Sequence, residues 1–222
     1  MMENILYQDF GLTIRQEKPD DYREVENLTR EAFWNVYAPG CTEHYLLHRL
    51  RNSPDFIPEL DVVAVYGGQI VGNVVCVRSH IEGEDGKHRE VLTLGPISVL
   101  PVFQRRGIGR KMTGYITDVA GRMGYRAILL CGDPLLYVRY GFEPAGKYGI
   151  MTSDGRISHA LQIYPLNGTD ISDYSGMYFE SSAYDMDIVQ AEEFDLGFPA
   201  KEKLSDTPSQ LRFKELLAMP GD

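Results

Sequence analysis

Between residues 61 and 131 the apolar pattern of this chain changes period twice, and that change limits the fold more than any other feature. Residues 61–66 (DVVAVY) and 69–79 (QIVGNVVCVRS) are rich in β-branched residues and flank Gly67-Gly68, the spacing of a tight hairpin turn. Residues 90–100 (EVLTLGPISVL) resume a strand, 107–123 (GIGRKMTGYITDVAGRM) switch to helical spacing, and 126–131 (RAILLC) return to a strand. Hairpin partners are antiparallel, whereas two strands joined through a helix can run parallel, so the pattern demands a mixed sheet flanked by helices. All-helical and all-β architectures are excluded.

The flanks extend this scheme. Residues 11–16 (GLTIRQ) read as a first strand, and Pro19-Asp20-Asp21 opens a helix that carries Val25, Leu28, Ala32, Phe33 and Val36. Ala38-Pro39-Gly40 breaks it before a second helix, TEHYLLHRLRN, which stops ahead of Pro54. Residues 81–89 are polar and read as a surface loop. A short helix at 134–140 and strands at 157–165 and 176–180 complete the order. The fold class is α/β, with a mostly antiparallel central sheet.

The informative stretch runs from Leu92 to Phe142. At its centre a strand ends at Pro101 and a short loop leads to glycines 107 and 109 at the opening of a helix. A helix start offers unpaired N–H groups and the positive end of the macrodipole, and glycines let an anion approach without a Cβ in the way. Arg105, Arg106, Arg110 and Lys111 place four cations there with no acid between them. A lone G-x-G also suits an ordinary strand-to-helix turn. The dinucleotide fingerprint needs glycine where Met112 stands, and the P-loop spacing is absent.

Residues 97–110 resemble the acyl-CoA signature of the GNAT superfamily of N-acetyltransferases, a strand ending in Val-x-Pro followed by Gln/Arg-x-x-Gly-x-Gly/Ala; Gln104, Gly107 and Gly109 match in register. Downstream, Leu136 to Phe142 (LYVRYGF) resembles the family's short helix ending in Tyr-x-x-x-Gly-Phe. The resemblance implies a sheet splayed at its fourth strand, residues 90–100, to admit acetyl-CoA as co-substrate. It also implies that the backbone of Ile97, Ser98 and Val99 binds the pantetheine arm, and that Gln104, Arg105, Arg106, Gly107, Ile108, Gly109 and Arg110 hold the pyrophosphate. Pro96, which cannot donate to a ladder, gives an independent reason for a bulge or splay in that strand.

By the same resemblance the chain is an acyltransferase moving an acetyl group to a primary amine of a small molecule or protein by direct attack. Tyr137 would be the general acid and the Val99 N–H the carbonyl polariser. A phenol can protonate a departing thiolate at modest cost. The alternative is a non-catalytic acyl-CoA sensor. Glu90, Glu43 and His44 are candidate bases, and each also reads as an ordinary surface residue. Asp133, where the family commonly carries Asn, either replaces a cofactor contact or caps the helix before Tyr137, and the cap is favoured. His44 and His48 stand four apart on a predicted helix without a third ligand, so they read as two partly exposed histidines and no metal is expected. Trp34, Tyr37 and Tyr45 suit either an aromatic acceptor wall or core packing.

Charge bounds the partners. The chain carries 22 basic and 32 acidic residues, a net of −10, which opposes binding to nucleic acid or an anionic membrane. Residues 1–166, the acetyltransferase core, hold 20 acids and 18 bases; residues 167–222, an acidic C-terminal extension, hold 12 acids and 4 bases. That extension keeps too many aromatics for a disordered tail. It is expected to form the last strand, a long loop packed through Phe194 and Phe198, and a terminal helix after Thr207-Pro208-Ser209, bordering the acceptor site or making a homodimer contact. Cys41, Cys76 and Cys131 read as reduced thiols, no apolar run approaches a membrane span, and a cytoplasmic location is expected.

Overall fold

Gly67 and Gly68 both take positive φ, and across them Tyr66 pairs with Gln69, so the hairpin at the centre of the sheet forms where the glycines allow it. The computed structural model describes residues 5–9 and 11–219. Its strands are β1 (Ile5–Asp9), β2 (Leu12–Gln16), β3 (Phe56–Tyr66), β4 (Gln69–Glu82), β5 (His88–Val99), β6 (Ala127–Cys131), β7 (Glu143–Pro144), β8 (Ile150–Thr152), β9 (Leu161–Pro165) and β10 (Gly176–Phe179). Its helices are α1 (Tyr22–Phe33), α2 (Glu43–Arg51), α3 (Ile108–Arg122), α4 (Pro134–Tyr137), α5 (Ile188–Asp195) and α6 (Pro208–Ala218). The main sheet runs β1-β2-β3-β4-β5-β6-β9-β7, with β10 joining β4 to β8. Pairing is antiparallel except between β5 and β6 and between β8 and β10. None of the described helices is long and apolar enough to cross a membrane.

Successive residues of β3 serve opposite faces. Val62 and Ala64 pack toward Met112, Ile116 and Ala120 of α3, whereas Val63 joins Val25, Leu28, Leu47 and Leu50 of α1 and α2. Each fully buried aliphatic side chain of these layers contributes roughly 1.5–3 kcal/mol.

Several elements differ from the sequence expectation. The polar stretch 81–89 is the far end of the β4–β5 ladder, with Ile81 paired to Arg89, and only its tip is a turn. Helix α1 stops at Phe33 instead of reaching Val36, because Asn35 adopts φ 61° and bonds Gly40 through both main chain and side chain. The strand expected over 157–165 begins only at Leu161, and the stretch expected as a loop around Phe194 is helix α5, capped by Asp187.

One buried cluster carries a testable electrostatic consequence. Arg51, almost wholly buried, faces Glu17 at 2.6 Å, Glu26 at 3.3 Å and Asp61 at 3.7 Å; His48 and Arg23 also approach Glu26. Burial first, then the hydrogen bond and charge of Asp61, raise the Glu17 carboxyl well above its ordinary value of 4.5. The unfolded chain releases that proton near pH 4.5 while the folded chain keeps it, so stability falls as pH rises from there across the neutral range. Glu17→Gln keeps a donor toward Asp61 and removes the proton. Urea melts from pH 5 to 8 should therefore show a flatter stability profile and, at the upper end, a variant no less stable than wild type. A loss of more than about 2 kcal/mol at pH 8, the scale of a broken buried pair, would mean that Glu17 is ionised.

Candidate active site

The sheet opens beside β5. This strand pairs with β6 only at Leu92 and Thr93, and its ladder with β4 slips between Cys76–Leu94 and Val74–Ile97, which gives β5 one extra residue at Gly95-Pro96. Proline has no N–H to continue the ladder, so the bulge falls where the sequence requires it. Beyond the bulge the main chain of Leu100 bonds Val71, and hydrogen-bonded pairs alternate back along the ladder. The backbone groups of Ile97 and Val99 therefore turn away from β4, toward the side β6 has left. The Val99 carbonyl accepts from Gln104 Nε2 at 3.0 Å.

A turn over Pro101–Phe103 leads from β5 to Gly107, the N-cap of α3, which adopts φ +80°. Nothing lies within 4 Å of a Cβ built there, so conformation, not space, calls for glycine. The first-turn N–H groups of α3 are left without intrahelical partners. Arg105, Arg106 and Arg110 are exposed around them.

On the far wall, Asp133 accepts from the Leu135 N–H at 3.0 Å and caps α4, and it is ion-paired with Arg212 of α6 at 3.0 Å. The capped turn holds Tyr137 with its ring against Gly132, where a Cβ would collide with it, and edge-on to Phe142 at 5.8 Å. Burial, then the nearby Tyr37, Tyr140 and Cys131, raise the Tyr137 phenol far above its ordinary range, so it stays protonated.

These walls enclose a cleft of about 660 Å³. It brings together Tyr37, Ile97, Val99, Gln104, Arg105, Gly107, Ile108, Gly109, Arg110 and Tyr137 of the residues singled out in the sequence, and adds Phe33 from the end of α1. Two others stand apart. The Ser98 side chain is buried on the opposite face and donates to Thr29 Oγ1 at 3.0 Å, and Arg106 lies 5.3 Å from the Phe103 ring, outside the lining.

Tyr37 also borders a second pocket, of about 380 Å³, with Trp34, Glu43 and Phe213; burial and then Glu43 push its phenol up to about 12. The Glu43 carboxyl accepts from the Thr42 N–H at 2.9 Å and is raised by burial. Tyr45 lies outside both, donating to Gln190. Glu90 is exposed at the start of β5, opposite His80, and lines neither. His44 is a correction: it is wholly buried rather than partly exposed, packed between Phe194 and Phe198 with Nε2 3.1 Å from Asp195, and burial pushes it down to about 4. Among the described residues no group of three His, Cys, Asp or Glu side chains could hold a metal.

A third depression, of about 460 Å³, went unread in the sequence; Cys131, Tyr178, Glu180 and Tyr184 line it. Its residues come from segments some fifty positions apart, and no local pattern marks one acid of the C-terminal segment over another.

Residues 59–144 match the family model described as acetyltransferase (GNAT) domain. The uncharacterized N-acetyltransferase YhbS of Escherichia coli K12 is 28% identical over 167 residues, covering 75% of this chain and 94% of that protein. Among solved structures, a GNAT family acetyltransferase from Brucella melitensis in complex with acetyl-CoA is 28% identical, with a TM-score of 0.62 over 78% of this chain and 98% of its own. Escherichia coli YhbS in complex with CoA has a TM-score of 0.71 at 24% identity, over 81% of this chain and 95% of its own.

Proposed function

We infer, from a chain that belongs to the GNAT superfamily, that this acetyltransferase moves the acetyl group of acetyl-CoA onto a primary amine of a small molecule or protein. The observation that carries the reading is the opening of β5 from β6. It leaves the backbone of Ile97 and Val99 facing a cleft that runs from the arginine-bearing start of α3 to Tyr137.

The cleft suits the co-substrate in shape and charge. Ile97 and Val99 offer main-chain donors and acceptors in the manner of an unpaired strand edge, which an amide-bearing pantetheine arm can complete. The first-turn N–H groups after Gly107, with Arg105 and Arg110, offer a positive cradle for a diphosphate. Acetyl-CoA supplies a thioester carbonyl open to attack by a neutral amine. The Val99 N–H polarises that carbonyl, and Tyr137 donates its proton to the departing thiolate. Burial keeps the phenol in its protonated form, so a proton is available when charge builds on the departing sulfur. Residues beyond 166 reach the rim of the cleft, where Phe213 of α6 packs on Tyr37 at 4.5 Å. Three free cysteines suit the reducing cytoplasm.

Thiol release from acetyl-CoA tests the reading. Release should require an added amine, and mass spectrometry should find one acetyl group on that amine for each thiol freed. Tight CoA binding with no release across a broad amine panel would identify an acyl-CoA sensor instead.

A further inference from the structure

We propose that Glu180 receives the amine: its carboxylate binds the ammonium group of a cationic primary amine with an aliphatic or aromatic body, and takes the first proton from it. The proposal rests on the acetyl-transfer reading and names the acceptor class for it.

Glu180 directly follows β10, which the C-terminal segment adds to β4. It opens into the 460 Å³ pocket whose walls include Leu161, Tyr178, Phe179 and Tyr184. The pocket reaches both lips of the opened sheet. On the β5 side, the Tyr184 hydroxyl donates to the carbonyl of Gly95, in the bulge, at 2.6 Å. On the β6 side, the pocket is lined by Cys131, whose neighbour Gly132 lies against the Tyr137 ring. Cys131 and Gly132 thus connect the pocket of Glu180 to the residue that carries the phenol assigned to the leaving group. An amine seated beside Glu180 thus approaches the acyl cleft from the side opposite the start of α3.

The chemistry of the pocket selects a cation. No hydrogen bond or ion pair joins the Glu180 carboxylate to another described residue. The titratable groups facing it are Asp185, Cys131, Tyr178 and Tyr184, and none is cationic. Arg49 of α2 donates to the main-chain carbonyls of Ser182 and Asp185 and lines a different depression. The Glu180 side chain is open to solvent at the pocket mouth, but loss of solvation along the pocket walls, then the charge of Asp185, raise its carboxyl above the ordinary carboxylate range, the direction a base for an ammonium group requires. Tyrosine and phenylalanine walls add apolar contact and ring faces toward a cation.

The protons balance. Glu180 takes one proton from the ammonium, and the freed nitrogen forms the C–N bond as the C–S bond breaks. Tyr137 gives its proton to the thiolate and regains one from the nitrogen. Glu180 returns its proton to solvent, so one proton is released per turnover.

Glu180→Gln, an isosteric change at an exposed side chain, tests this with phenylethylamine, benzylamine and putrescine as acceptors and phenylethanol as an uncharged competitor. The variant should lose at least about 100-fold in kcat/KM for the amines, the lower end of the range for a lost general base, and should lack the acidic limb of the wild-type pH profile. Its affinity for CoA should stay within about twofold of wild type, since Glu180 lies outside the cofactor cleft. Phenylethanol should compete poorly against phenylethylamine in wild type. A variant within about threefold of wild type at every pH, with amine-dependent transfer intact, would overturn the role of Glu180 and leave the acetyl-transfer reading standing. A wild-type protein that binds CoA but acetylates none of the amines would overturn both.

Discussion

Tyr137→Phe should bind CoA as wild type does and turn over about 10²–10⁴-fold more slowly, the loss expected when a general acid is removed. That range corresponds to roughly 3–5.5 kcal/mol of transition-state stabilisation. The substitution keeps the ring, and the ring makes the packing contacts with Gly132 and Phe142, so the folded state should be nearly unaffected. Because burial holds the phenol protonated far into the alkaline range, the wild-type rate should show no decline from Tyr137 ionisation up to pH 10. Two measurements check this: kcat with saturating acetyl-CoA over a range of pH, and CoA affinity by calorimetry. Wild-type turnover in the variant would remove Tyr137 from the mechanism.

Gly107→Glu should abolish measurable CoA binding, a weakening of at least about 100-fold. Two effects combine there. A non-glycine residue at φ +80° costs about 1–2 kcal/mol, and a carboxylate would stand at the helix start where the diphosphate is to be held. The open space around that Cβ means the variant can fold. Gly107→Asn separates the two effects, since asparagine tolerates the left-handed region and carries no charge, and it should retain most of the affinity. Glu and Asn variants that both bind as wild type would show that the start of α3 is not the phosphate cradle.

What could be read from the sequence was what neighbouring residues determine among themselves. Gly67-Gly68 between two β-branched runs located the central hairpin, Asp133 ahead of Pro134 located a cap, and Thr207-Pro208 located the start of α6, where Thr207 accepts from Gln210. The stretch from Leu92 to Phe142 was legible as a local pattern because a bulging proline, a glycine helix start and a capped tyrosine turn follow one another along the chain. The far end of the β4–β5 ladder was missed because its residues are polar and half-solvated, leaving no alternation to detect. Strand β10 was legible as a strand, but its partners β4 and β8 were not, because its register depends on residues distant in sequence. The burial of His44 was hidden for the same reason: the phenylalanines that enclose it lie on or just beyond α5, 150 residues downstream. Glu180 acquires meaning only when β10 brings it to the lip of the opened sheet.

A crystal structure of the protein with acetyl-CoA tests the central claim most directly. The account predicts pantetheine amides paired with the main chain of Ile97 and Val99, the diphosphate on the N–H groups that follow Gly107, and the thioester sulfur within hydrogen-bonding reach of the Tyr137 hydroxyl. Acetyl-CoA bound elsewhere, or bound in the cleft with its thioester turned away from Tyr137, would contradict it.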